Sequence, residues 1–352
     1  MRDLSTYAFI NARIRAMSGQ FLRPRQWGLL LAARDVAHVI TILQATPYSS
    51  FIRDNIIQNK DIEALERAFV LDDVHTHDKI IKAWREKGHP GKVVTLLRER
   101  YELNEVKVLL RYWATQGKTS GRQHIFSEVF THPISIEHIL SAHDLDELAV
   151  AFSATPYRHV LRAAAAQYLK TGSLFYLEAA IDRDYFNRLW AEIDQLPYAD
   201  RMAATRLIGI EVDMENIGAL LRLRRYYDFP SGDLTMTLLP RGYRLNERTL
   251  RLAFVKEGFA DTLKVLAVRP YQELGVLFAK AIDHAGLSLL ESVLYQALFS
   301  EALRVMRGFP FTIGTILAYL ILKRAETRKL ASIFYGKDHG LSSGQIKGAW
   351  VC

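Results

Sequence analysis

The densest group of side chains able to hold a metal is Asp72-Asp73-Val74-His75-Thr76-His77-Asp78. On a helix Asp73 and His77 stand four residues apart and share one face, a spacing that suits a divalent ion. Paired aspartates also hold magnesium on a diphosphate in helical prenyl-transferring enzymes. That chemistry needs a second acidic motif across the cavity, and the sequence offers none. The simpler expectation is a solvated, polar helix face. Gly117-Lys118-Thr119-Ser120-Gly121 contains the Gly-Lys-Thr tail of a phosphate-binding loop, but Tyr112 stands where the loop's first glycine belongs, and a helical stretch precedes it instead of a strand. It reads as a linker. Neither a Gly-x-Ser-x-Gly elbow nor a His-Glu-x-x-His helix occurs, and the eleven histidines are scattered. No catalytic, cofactor-binding or metal-ligating residue is expected, and the Asp72-Asp73 cluster is kept only as the basis of an alternative, a helical metal-dependent enzyme.

Charge offers a second lead. The net charge is +8, and up to Arg34 the chain carries six arginines, no lysine and Asp3 as its single acid. Such a bias favours an acidic partner, whether protein, nucleic acid or lipid headgroup. Arg222 to Tyr227, with two tyrosines among its arginines, is the best candidate for a nucleic-acid contact, so a basic helical adaptor is a further alternative. The single cysteine, Cys352, is the last residue, which rules out an intrachain disulfide or a cysteine metal cluster and suits a reducing cytoplasm. The longest apolar run, Thr312 to Leu322, is too short to span a bilayer, and Met1 to Ser5 has no leader pattern, so the chain is expected to be neither secreted nor integral to a membrane.

The elements that would carry these residues are helices. With 352 residues, 49% hydrophobic and 24% charged, the chain should fold, and apolar residues recur three and four apart almost throughout. Asp233 to Leu239 is the best strand candidate. Breaks are expected at Lys87–Lys92, Gly117–Arg122, Lys170–Ser173, Asp228–Asp233 and Leu239–Asn246. Three markers then recur in constant order. A Pro-Tyr pair follows an apolar helix at Pro47-Tyr48, Pro156-Tyr157 and Pro270-Tyr271, with Thr46 and Thr155, but Arg269, in front of it. Each pair should end one helix and start the next, with threonine as a cap. Leu-Glu opens a long helix at Leu65-Glu66, Leu177-Glu178 and Leu290-Glu291. An apolar triad follows at Val106, Leu109, Leu110; at Ile217, Leu220, Leu221; and at Leu330, Ile333, Phe334. From glutamate to triad the separations are 40, 39 and 39 residues. The chain therefore reads as an all-α threefold repeat, 1–120, 121–231 and 232–352, whose bundles bury their inner stripes on one another around a pseudo-threefold axis and leave a shared socket.

The order of several segments resembles a known family. Tyr7-Ala8-Phe9-Ile10-Asn11-Ala12-Arg13-Ile14-Arg15-Ala16-Met17, Glu211-Val212-Asp213-Met214-Glu215-Asn216-Ile217 leading into Leu220-Leu221-Arg222, Glu326-Thr327-Arg328-Lys329-Leu330, and Tyr335-Gly336-Lys337-Asp338-His339-Gly340-Leu341 are similar to the C subunits of archaeal and bacterial vacuolar-type (V/A-type) ATPases. The eukaryotic relative is the d subunit of the vacuolar ATPase. The resemblance implies a non-catalytic central-stalk part: a funnel of three helical bundles on the cytoplasmic face of the membrane rotor ring, into which the central shaft plugs for ATP-driven ion transport or ion-driven ATP synthesis. The implied partners are the shaft subunits and the proteolipid ring, with lipid headgroups as a further contact, no nucleic acid and no cofactor. Arg13, Arg15, Arg222, Arg224 and Arg225 are then candidates to meet acidic faces of shaft or ring, or headgroups. Arg269 in place of threonine, and Phe334-Tyr335 where the first two copies have Leu-Arg, set the third copy apart.

Overall fold

A computed structural model describes residues 2–55, 62–84, 88–115, 125–226, 229–268, 271 and 286–348. In chain order the helices are α1 (Arg2–Ser18), α2 (Pro24–Ala32), α3 (Val36–Gln44), α4 (Ser49–Asn55), α5 (Ile62–Ala83), α6 (His89–Ala114), α7 (Ile136–Ser141), α8 (Leu145–Ala151) and α9 (Tyr157–Thr171). They continue with α10 (Phe175–Asp194), α11 (Tyr198–Tyr226), α12 (Leu234–Thr237), α13 (Glu247–Phe254), α14 (Phe259–Leu266), α15 (Gly286–Arg307), α16 (Ile313–Asp338) and α17 (Ser343–Gly348). No strand occurs among the described residues, so the fold is all-α, as the apolar spacing predicts.

The helices start and stop for local reasons. Asp35, Ser135, Asp144 and Asn246 each cap a helix, their side chains accepting the backbone N–H three residues on. The Pro-Tyr breaks share one geometry in the first two copies. Thr46 Oγ1 donates to the Leu43 carbonyl and accepts the Tyr48 N–H at 3.2 Å; Thr155 Oγ1 does the same with Phe152 and Tyr157, again at 3.2 Å. Arg269-Pro270 of the third copy lies outside the described residues, as do Gly117–Gly121 and the side chains of Glu66 and Glu291. Asp233–Leu239, the best strand candidate of a chain read as all-α, is a 3-10 turn, Ser231–Asp233, running into α12. Leu234 and Leu238, four apart, are both buried, a helical spacing that its short alternation concealed.

The chain divides into two compact units, one of Met1–Glu86, Pro197–Arg222 and Gly242–Cys352, the other of Lys87–Leu196 with Leu223–Arg241. In the first, α16 is the central element. Every residue from Ile313 to Leu322 is buried, which explains an apolar run with no polar face: it is a helix enclosed all round. Further along, Leu330, Ile333 and Phe334 pack with Leu30, Leu43 and Ile52, and Phe51 stacks on Phe69 with ring centroids 4.8 Å apart. In the second unit α10 lies along both α6 and α9. Ion pairs run along the length of α6 and α10, among them Arg111 to Glu178 at 2.6 Å, Lys107 to Asp182 at 2.8 Å, Arg188 to Glu99 at 2.6 Å and Lys92 to Glu192 at 3.2 Å.

The polar face expected at Asp72–Asp78 is not what α5 presents. Asp73, Thr76 and His77 are buried. Thr327 Oγ1 of α16 donates to Asp73 Oδ2 at 3.1 Å, the His77 Nδ1–H donates to the Asp73 carbonyl at 2.8 Å, and Asp72 pairs with Lys323 at 2.8 Å. Solvation gives way here to pairing within the unit, which a burial of charge requires.

Candidate functional site

Each tyrosine of the Pro-Tyr marker is buried, and each donates its hydroxyl to a buried carboxylate on a long helix. Tyr48 meets Glu326 Oε1 of α16 at 2.8 Å, Tyr157 meets Glu102 Oε1 of α6 at 2.9 Å, and Tyr271 meets Asp213 Oδ2 of α11 at 2.7 Å. In all three cases the carboxylate stands four residues ahead of the apolar triad on the same helix, whose members are at most 1% exposed. One helical turn thus sets acid and triad on a common face, the triad sealing the acid from water.

The carboxylates collect further donors from the backbone in the same register. Leu22, Thr131 and Leu245, each 26 residues before its tyrosine, give their N–H to Glu326, Glu102 and Asp213 respectively. Glu102 gathers most: besides Tyr157 and the Thr131 N–H it accepts the Thr131 hydroxyl at 2.6 Å, the His132 N–H at 2.8 Å and the His132 ring Nδ1–H at 2.6 Å. Asp213 also accepts the Arg244 N–H at 2.8 Å. Gly242 makes this possible, because a Cβ there would overlap Asp213 Oδ1. Gly209, one turn before Asp213, accepts the Tyr243 N–H on its carbonyl at 3.0 Å, laying the same loop directly on the α11 backbone.

Burial and hydrogen bonding compete at each site. Burial pushes Asp213 up to about 6 against the hydrogen bonds from Arg244, Tyr271 and Leu245, and it raises Glu326 above the ordinary range in spite of Tyr48 and Leu22. At Glu102 burial acts in the same sense, yet the hydrogen bonds from Thr131 and His132 outweigh it and hold the carboxyl below its usual value. Asp73, also buried, is pushed up to about 6 by desolvation, opposed by Lys323. The three tyrosines are all raised, by burial first and by their carboxylate neighbours second. A phenol locked against an acid in this way is a fixed donor, so the arrangement clamps a segment to a helix.

Other segments singled out in the sequence are tied down similarly. Tyr7 donates to Asp200 at 2.7 Å, and Asp200 also accepts the Ile313 N–H at 2.8 Å. Glu211 pairs with Arg324. Lys337 Nζ and Ser343 Oγ both donate to the Leu31 carbonyl at the end of α2, at 2.8 and 2.6 Å. Of the candidate contact residues, Arg13 and Arg15 are exposed on α1 while Ile10 and Ile14 turn inward, and Arg222 is exposed on α11. Arg224 is half-buried, and the Arg225 side chain lies outside the described residues. Among the described residues no three His, Cys, Asp or Glu side chains converge as a metal would need, Asp72 and Asp73 being engaged as above. No helix among the described residues is long and apolar enough to cross a membrane. Repeat spacing in the sequence picks out the tyrosines but not their acids; an Asp or Glu four residues ahead of each triad is the signal that could have found them.

A family model described as ATP synthase (C/AC39) subunit matches residues 10–349, and the chain belongs to that family. It is 25% identical to the C subunit of the A-type ATP synthase of Methanosarcina acetivorans, covering 99% of this chain and 94% of the relative. The corresponding subunits of Methanocaldococcus jannaschii and Pyrococcus abyssi are 20% and 22% identical, over 99% and 97% of this chain and 87% and 89% of theirs. The family resemblance read from the sequence is thereby confirmed along the whole chain.

Proposed function

We propose that this protein is the non-catalytic central-stalk subunit of a rotary vacuolar- or archaeal-type ATPase, passing torque between the rotating shaft and the membrane rotor ring. The family match over residues 10–349, to relatives named as the C subunits of A-type ATP synthases, is the observation that carries this reading. The recurring tyrosine–carboxylate clamps agree with it, because a torque-bearing part must not shear and buried hydrogen-bonded pairs resist displacement of a segment along its helix. In this reading the repeats 1–120, 121–231 and 232–352 are three bundles of a funnel-shaped socket on the cytoplasmic membrane face. Arg13, Arg15, Arg222, Arg224 and Arg225 then meet acidic faces of shaft or ring, or headgroups. The test is coupling. Removing the gene should leave ATP hydrolysis by the soluble head intact while ATP-driven ion uptake into membrane vesicles is lost; uptake that survives the deletion would refute the assignment. Reversing Arg13, Arg15, Arg222 and Arg224 together to glutamate should lower retention of the protein on shaft and ring, most of all at low salt.

A further inference from the structure

Exposed apolar side chains stand on two segments that approach each other, the start of α11 and the turn between α15 and α16. Tyr198 is 71% exposed, Phe309 66% and Met202 53%. The two segments are held together from beneath: Asp200 accepts the Ile313 N–H, and a Cβ on Gly314 would lie 2.8 Å from Ala203 Cβ. The turn itself is stiff. Thr315 Oγ1 donates to the Pro310 carbonyl at 2.9 Å, the Gly308 N–H donates to Val305, and the Phe309 and Phe311 rings meet edge to face at 5.5 Å. The two segments therefore hold large apolar side chains out in water on a preorganised support, which in a soluble face costs solubility and gains nothing for the fold.

The exposed charges of these two segments are of one sign. Arg201, Arg304 and Arg307 are exposed, whereas the two carboxylates of these segments, Asp200 and Glu301, are buried. Glu301 holds Arg304 at the head of a groove of ≈ 440 Å³ lined by Ser300, Leu303, Arg304, Arg307 and Gly308. Tyrosine, phenylalanine, methionine and arginine without lysine is the composition of a protein–protein contact, where rigid aromatic anchors carry the energy and arginine the specificity. A headgroup surface asks less of geometry and is met as well by lysine.

The geometry points to these two segments as a docking surface for a neighbouring subunit of the same complex, one that presents an apolar helix face or loop bordered by acidic residues. The inference rests on the stalk reading above and deepens it by locating a contact none of the candidate arginines mark. The test uses the assembled complex purified through a tag on this chain. With a benzophenone amino acid at Phe309 or Met202, irradiation should join the chain to a single other subunit. The pair Phe309→Ser with Met202→Ser should cut co-purification of that subunit at least tenfold, and Arg307→Glu should cut it in low salt and little in high salt. Helical circular dichroism and thermal midpoint of the variants should match the parent, separating lost docking from lost fold. An adduct to lipid alone, no adduct, or undiminished co-purification, in preparations where the parent chain retains the other ATPase subunits, would overturn the inference. A parent chain that retains none of them would overturn the stalk reading and this one with it.

Discussion

At the scale of single residues, two carboxylates in matching positions answer pH in opposite senses. Asp213 is raised to about 6 in the folded chain, so the folded state binds the proton more tightly than the unfolded one. Its contribution to stability is full below the unfolded value near 4 and is lost as pH rises through about 6, a swing of about 3 kcal/mol at 1.36 kcal/mol per pH unit. Glu102 is lowered, so its contribution is present above the unfolded value near 4.5 and is lost as pH falls through the folded one. Asp213→Asn should therefore cost more stability at pH 4.5 than at pH 7, whereas the cost of Glu102→Gln should shrink below pH 4.5. Urea midpoints of the two variants against the parent at several pH values would show it, and parallel profiles would contradict the opposed shifts. Tyr157→Phe should cost about 1.5–3 kcal/mol, the worth of one hydrogen bond to a charged group, because the other donors to Glu102 stay in place.

At the scale of elements, close approach matters more than propensity. Gly242 lets a loop descend onto α11 until two backbone N–H groups reach Asp213. Gly242→Ala has to lift that loop, and a loss of more than about 2 kcal/mol is expected, with Asp213 left short of partners. Thermal melts would measure it, and a variant as stable as the parent would show that the loop can yield. Sequence reveals some features of these elements and hides others. The helix periodicity, the breaks at Lys170–Ser173 and Leu239–Asn246, and the Pro-Tyr turns are all legible, since each depends on neighbours within a few residues; the threonines brace those turns from outside the helix, where Pro156 and not Thr155 is the N-cap of α9. The partner of Tyr48 is not, being 278 residues away on α16. Nor is the burial of Asp73 and His77: composition marks them polar, and only the arrival of Thr327 and Lys323 makes an interior position tolerable. Phe309 illustrates the reverse case, an aromatic that composition assigns to a core and that stands in water.

At the scale of the whole chain, the clamps link segments far apart in sequence: Tyr157 and Tyr271 reach back 55 and 58 residues, but Tyr48 reaches forward 278. The first turns and the last long helix share one core, with Leu22, Leu30, Leu43 and Ile52 on Leu330, Ile333 and Phe334. Deleting residues 1–55 should accordingly expose that apolar face, and the shortened chain should aggregate or bind a hydrophobic dye while the parent does not; a soluble, fully helical deletion would argue against a shared core. Such long-range pairing also slows folding relative to other helical proteins, whose contacts are mostly local. During synthesis the consequence becomes a matter of timing. When Tyr48 leaves the ribosome its acceptor has not been made, and at roughly 5–20 residues per second Glu326 follows only about 15–55 s later. Over that interval α2 to α4 can pack on Leu65 and Phe69 of α5 but lack Leu330, Ile333 and Phe334, so part of their apolar surface waits exposed until α16 is made.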